Sequence, residues 1–254
     1  YAGEQYIEGF LKSIQEQTIF DQCELIIIDA NSPENESHYI EEFMKEHKNV
    51  IYKRLDYRAS VMETENMAIH MATGQFFAQA CVDDRHHREY LEIMAKHLHY
   101  HEDIDLVYTD CLQTTKPNET VETNSSFGSY YEHSRNEFSP ENMIKCLPGP
   151  MPMWKLSVHE KCGYFDEGLS YAGDWDIFLR MVAAGSKFKK IDIPLGLYYF
   201  NSEGLSTSTE NQIPRGKEEA EVFFKHKNVF GEANYNKYKN YFSQFIRNEN
   251  ESTT

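Results

Sequence analysis

The sequence predicts an α/β protein: a mostly parallel central sheet of Rossmann-like type, helices on both faces, and a helical appendage at the C-terminal end. Three observations predict it. Strand-like and helix-like segments alternate at short spacing through the first half. One strand segment, CELIIID at residues 23–29, is a continuous apolar run, the pattern of a strand covered on both faces. Two strand segments end on acids, Asp29 and then Asp83 with Asp84, at the edge where an open α/β sheet gathers its ligand.

Each element has its own signal. Residues 4–17 place Tyr6, Ile7, Phe10, Leu11 and Ile14 on one helical face. The strand at 23–29 follows, then the turn NSPENES, then a helix over 38–47. Residues 50–55 (VIYKRL) predict a second strand. Residues 61–74 predict a helix closed by Gly74 as C-cap. A third strand over 75–82 runs into Asp83 and Asp84; a helix over 89–101 and a strand over 104–111 come next. Residues 113–140 are polar and turn-rich and predict a long loop, a class that is usually functional or mobile. Residues 174–185 predict a helix with Trp175, Phe178, Leu179 and Val182 as its apolar stripe and Gly185 at its end. Residues 191–200 predict a late strand. From 211 the pattern is helical and aromatic-rich, so the expected organisation is one domain over 1–210 and a helical extension over 211–254 packed on it. The chain opens on YAGEQYI, which reads as the turn after a strand. A short first strand is therefore expected to be absent from these residues or supplied in another way.

Composition narrows the function classes. The chain has 254 residues, 41 acidic against 25 basic, for a net charge of -16. Such a field disfavours nonspecific binding to nucleic acid or anionic lipid, so a phosphorylated ligand must be recruited locally, by a cation or a few basic side chains. No window approaches twenty consecutive apolar residues, so no transmembrane helix is expected. The five cysteines are dispersed and form no CxxC pair, which argues against a zinc knuckle or a disulfide framework.

Three carboxylate clusters carry the candidate chemistry. Asp83 and Asp84 at a strand end can share a hard divalent cation, or Asp84 can simply cap the following helix. The adjacent His86 and His87 point apart on a turn and are expected to be solvated or hydrogen-bonding rather than metal-bound. Asp174 sits in the first turn of a helix, where the dipole stabilises its anion, and could accept a proton from a substrate hydroxyl; capping is the simpler alternative. Asp176, two residues on, must face another way. Asp29 and Asn31 can contact a nucleobase or ribose, or can merely form the turn.

The order of these pieces resembles family 2 glycosyltransferases of the GT-A fold. YAGEQYIEGFLKSIQEQ resembles that family's post-strand turn and first helix, ELIIIDANSPE its second strand and DDGS turn, and ENMAIHMATGQFF its ARNxGIxxAxGxYI segment. CVDDRHHREYLEIM resembles its metal-binding DxD region, and PMWKLSVHEKCGYFDEGLSYAGDWDIFLRM its acceptor-side block with EDxDLWLR. PLGLYYFNSEGLS resembles its closing strand. The coverage is roughly residues 1–207.

The resemblance implies an enzyme moving a hexosyl or related group from a nucleotide-diphosphate sugar, a UDP-sugar first, to a hydroxyl of a glycan or other acceptor, with inversion, in glycan or polysaccharide synthesis. It implies Mn²⁺ or Mg²⁺ on Asp83 and Asp84, and donor contacts at Tyr1, Glu4, Asp29, Asn31, Arg58, Asn66 and Asp83. It implies Asp174 as general base and a cytoplasmic location, including the inner face of the membrane; further domains or peripheral membrane association are compatible with it. Three positions depart from the pattern. Ala30 replaces the second acid of the DD turn, Cys81 the first acid of DxD, and Gly173 the glutamate before the base. They motivate one alternative, a GT-A domain that binds a sugar nucleotide or glycan without turnover. Acceptor choice is expected to depend on the 113–140 excursion and the 148–154 loop.

Overall fold

The fold was analysed in a computed structural model that describes residues 1–126 and 128–247. The chain begins on α1 (Glu4–Gln15), whose buried side chains are the five apolar residues that the spacing placed on one face. β1 (Leu25–Asp29), α2 (Glu36–Glu46) and β2 (Val50–Arg54) follow; β1 and β2 pair in parallel, with Asp29 opposite Arg54. α3 (Val61–Met71) starts where Ser60 accepts a hydrogen bond from the Glu63 N–H, the S-x-x-E signature of a capped N-terminus. It stops three residues sooner than expected. Ala72 turns to extended backbone, so Gly74 is not its C-cap.

β3 (Phe76–Ala78) is short, because the chain leaves the sheet before reaching the acids. β4 (Arg85–His86) is a two-residue strand that the sequence pattern did not reveal, and α4 (Tyr90–Tyr100) follows. The second half supplies β5 (Leu106–Thr114), β6 (Met153–Lys155), α5 (His159–Cys162), α6 (Gly173–Ala183), β7 (Phe188–Tyr199), α7 (Gln212–Lys225) and α8 (Gly231–Arg247). Gly185, at φ 89°, ends α6 as expected. β5 runs on through Thr114, so the 113–140 excursion opens on strand; among the described residues its remainder has short 3₁₀ turns and an isolated bridge between Leu112 and Tyr130.

The strands form two sheets. One is the parallel pair β1–β2; the other has the order β3-β6-β5-β7-β4. Parallel pairing is confined to β1–β2 and β5–β7; β3–β6, β5–β6 and β4–β7 are antiparallel, so the sheet is mixed and less parallel than the alternation suggested. A cavity of about 800 Å³ separates β1 from β3. Ile26 and Ile28 wall it on one side and Phe77 on the other, with Phe10, Ala68 and Tyr90 contributed by helices.

The main core joins both halves of the chain. Trp154, Phe178 and Leu106 share one buried cluster with Phe223, Phe230 and Phe242 of the C-terminal segment. The Phe223 ring stacks on Phe242 at 4.3 Å between centroids. The aromatic C-terminal helices therefore pack back on the body of the protein. No helix among the described residues is long and apolar enough to cross a membrane.

Candidate active site

The Cys81–Asp84 turn sits where β3 gives way to β4. The Asp84 N–H bonds to the Cys81 carbonyl at 3.2 Å and closes the turn. Because β4 pairs with β7, Asp84 lies against the end of that strand, and its Oδ1 accepts from the Tyr199 N–H at 2.9 Å. Asp84 is thus a buried acceptor anchored to the sheet, and α4 begins without a side-chain cap. Arg85 fixes the turn from below, donating to the carbonyls of Val82, Asp84 and Tyr6 and to Asn118 of the excursion.

One ligand atom each from Cys81, Asp83 and Asp84 lies within 4.8 Å of the others. Among the described residues this is the metal-competent group, and neither histidine takes part. His86 is buried against Tyr90, and burial lowers its pKa to about 4, which keeps it neutral. Burial pushes Asp84 well above the ordinary carboxylate range, with the Asp83 charge adding to it. Asp83 is raised as well, mainly by desolvation. A divalent cation shared by these carboxylates would relieve that cost, so the donor set fits one.

Asp174 occupies the first turn of α6. It does not cap the helix, since the cap position is Ala172. Its Oδ1 accepts from the Trp175 N–H at 2.7 Å, and the Cys146 thiol donates to Oδ2 at 3.3 Å. Desolvation nevertheless raises its pKa, which favours a proton acceptor over a permanently charged anion. Asp176 faces the core and holds an ion-pair cluster with Arg180, Lys225 and His226.

The charges of the two carboxylate groups both reach Cys81. The Cys81 residue is exposed as a whole, yet its thiol is desolvated and feels the charges of Asp84, Asp83, Glu65 and Asp174 together, which drive its pKa well up. An aromatic pair spans the same space. Tyr198, raised to about 12 by burial and by Asp84, packs at 5.2 Å on Tyr131, which in turn feels Cys146 and Asp174. Glu65, half-buried, is raised to about 7 by desolvation, against a hydrogen bond from Gln79 that lowers it.

Tyr1, Asp29, Ser32 and Cys81 line one cavity. Asp29 accepts three hydrogen bonds, from the Ser32 N–H, the Tyr52 hydroxyl and Arg54. Its first role is therefore to shape the 29–32 turn. Asn31 holds the left-handed conformation there, at φ 58°, which asparagine tolerates better than most residues. Glu36 accepts from the Gly3 N–H and the Ser32 hydroxyl, and the Glu4 N–H bonds to Glu34, so the start of α1 is tied to this turn. The Arg58 guanidinium lies over the Tyr1 ring at 4.3 Å.

Asn66 is a correction. It is 7% exposed, and its amide is engaged at both ends, donating to the Phe165 carbonyl and Glu167 and accepting from the Phe165 N–H. It latches the 165–167 loop to α3 and is not aimed at the donor. The residues that sequence reasoning missed are Arg54, Tyr131, Cys146 and Tyr198. Only Arg54 had a readable signal, since it closes the strand that lies parallel to the one ending in Asp29. A second cavity of about 520 Å³, at the opposite end of the strands beside Lys155, His159 and Tyr164, includes none of these groups.

Comparison with known proteins gives the family and the fold. Residues 1–163 match the sequence profile described as Glycosyl transferase family 2. An uncharacterised glycosyltransferase of Methanocaldococcus jannaschii is 23% identical over 189 residues; the alignment covers 74% of this chain and 64% of that relative's length. Among solved structures, residues 1–349 of S. aureus TarS in complex with UDP-GlcNAc superpose with a TM-score of 0.71 at 16% identity, covering 91% of this chain and 68% of that one. The mannosyltransferase PcManGT from Pyrobaculum calidifontis, in complex with GDP-Man and Mn²⁺, gives 0.67 at 16% identity, covering 90% and 62%. These likenesses place the chain in the GT-A fold.

Proposed function

The chain belongs to glycosyl transferase family 2, and from that premise we propose that it transfers a hexosyl or related group from a nucleotide-diphosphate sugar to an acceptor hydroxyl, inverting the anomeric carbon. The observation that supports the reading is the cluster of Cys81, Asp83 and Asp84 ligand atoms within 4.8 Å of one another, with the Asp174 carboxylate held in one orientation at the first turn of α6. One group of carboxylates then serves the diphosphate and the other serves the incoming alcohol.

In the proposed reaction the acceptor oxygen attacks the anomeric carbon from the face opposite the diphosphate. A new carbon–oxygen bond forms from the acceptor's lone pair. The bond to the diphosphate oxygen breaks, and its electron pair leaves with the nucleotide. The acceptor's proton passes to Asp174, whose raised pKa suits it to that task. The Trp175 N–H and the Cys146 thiol keep the carboxylate in one orientation. A single displacement inverts the centre.

Asp83 and Asp84, with Cys81 beside them, would hold Mn²⁺ or Mg²⁺, which when bound neutralises charge on the departing diphosphate. Tyr1, paired with Arg58, offers a flat cationic surface to the nucleoside. Asp29 and Asn31 keep the neighbouring turn in shape, and Glu4 belongs to the same chain start. A UDP-sugar is the first donor to try, in line with the UDP-GlcNAc held by TarS, and a GDP-sugar the second, in line with PcManGT. The acceptor is a glycan or other hydroxyl compound, in glycan or polysaccharide synthesis on the cytoplasmic side.

Calorimetric titration of UDP, GDP and the other nucleoside diphosphates, each with and without Mn²⁺, tests the reading. One of them is expected to gain at least about tenfold in affinity with the ion, roughly 1.4 kcal/mol, and Asp83→Asn is expected to abolish the gain. If no nucleotide gains affinity, the non-catalytic alternative motivated by Cys81 is the better account.

A further inference from the structure

We infer that Cys81 makes the cation site thiophilic, so that Zn²⁺ and Cd²⁺ bind it more tightly than Mg²⁺ does, with Mn²⁺ between them. The inference rests on the proposed cation role of this turn and adds the choice of ion. Its ground is the donor set. The Cys81 sulphur is one of three ligand atoms lying within 4.8 Å of one another, the other two being carboxylate oxygens of Asp83 and Asp84. Metal–oxygen bonds to these ions are about 2.0–2.2 Å and zinc–sulphur bonds about 2.3 Å, so one ion near the centre reaches all three atoms with little movement.

The three donors are not alike. Asp84 is 2% exposed and anchored through Oδ1 to the Tyr199 N–H, which fixes one wall of the site. Asp83 is half-buried and can adjust. Cys81 is the exposed residue among the five cysteines, and its desolvated thiol faces the two carboxylates. Mg²⁺ prefers oxygen ligands and holds its water, and it gains little from sulphur. Zn²⁺ and Cd²⁺ gain a strong bond from the thiolate, and the order of affinities across first-row ions puts Mn²⁺ below Zn²⁺. An all-carboxylate turn would lack this bias. Thiophilic ions are therefore expected to displace Mg²⁺ from this chain.

The test uses the nucleotide-free chain and needs no transfer assay. Cd²⁺ is titrated while the ultraviolet thiolate-to-cadmium charge-transfer band is recorded, and Mg²⁺ and Mn²⁺ are then added as competitors. One band-forming equivalent is expected, resisted weakly by Mg²⁺ and better by Mn²⁺. Cys81→Ser should remove the band and weaken Cd²⁺ binding by at least about tenfold, whereas Cys81→Asp should weaken Cd²⁺ and strengthen Mg²⁺. An unchanged band in Cys81→Ser, or equal competition by Mg²⁺, overturns the inference. The outcome separates from that of the transferase reading. A Mn²⁺-dependent gain in nucleotide affinity without a Cys81 band sinks only the inference; a Cys81 band without the nucleotide gain sinks only the reading.

Discussion

Asp174 and Asp176 are two residues apart on one helix and live in opposite electrostatic worlds. Asp176 is fully buried and is met by Arg180, Lys225 and His226, each at 2.8 Å. Burial alone would raise its pKa; the hydrogen bonds from His226, Lys225 and Arg180 outweigh burial and hold the carboxyl well below its ordinary value. A depressed folded-state pKa stabilises the protein at any pH above the unfolded value of about 3.9, and that stability is lost as pH falls from there toward the folded value. Asp176→Asn should therefore cost about 1–3 kcal/mol near neutrality, because it removes the buried carboxylate charge that Arg180, Lys225 and His226 meet, while Arg180 and Lys225 keep other partners. It should also flatten the loss of stability below about pH 4. Urea unfolding at several pH values measures both. The sequence placed these two acids correctly on divergent faces. It could not reveal the role of Asn66, whose partners Phe165 and Glu167 lie about a hundred residues away.

Among the elements, α6 explains one of the departures from the family pattern. A side chain at Gly173 would run into the sulphur and neighbouring carbons of Met62 on α3. Met62 is itself buried, so the helix pair closes over the space that a glutamate would need. Gly173→Glu is expected to destabilise the chain by about 1–3 kcal/mol through overpacking, and Met62→Ala in the same chain to recover part of that loss. Thermal unfolding of the two single variants and the double variant checks it. Ala30 is similar, being buried at the end of β1 where an acid would be desolvated. The long elements were legible because their periodicity is strong. α1 buries all five residues of its apolar stripe, and α6 buries Trp175, Phe178 and Leu179 of its own together with Ile177 and Met181. β4 was not legible, because two residues carry no period and its pairing with β7 is a long-range event. Gly74 misled for a related reason: glycine after a helix suggests a C-cap, but here the chain had already turned at Ala72.

Across the whole molecule, strand–helix alternation identified the architecture, and the strand ends led to the acids proposed for the site. Pairing direction was less readable, since β6 enters the sheet antiparallel on the strength of partners far along the chain. Tyr131 and Cys146, near Asp174, come from irregular segments whose sequence has no period to read. An acidic chain of net charge -16 is no obstacle to a diphosphate substrate when a cation is held locally between its carboxylates. The central claim is that Asp174 takes the acceptor's proton while a separate turn holds the donor. The most direct measurement sets donor affinity beside transfer rate in Asp174→Asn, using the nucleotide sugar identified by titration. The account predicts an affinity within about twofold of the parent and a rate lower by at least about a hundredfold. Transfer at the parent rate would contradict it.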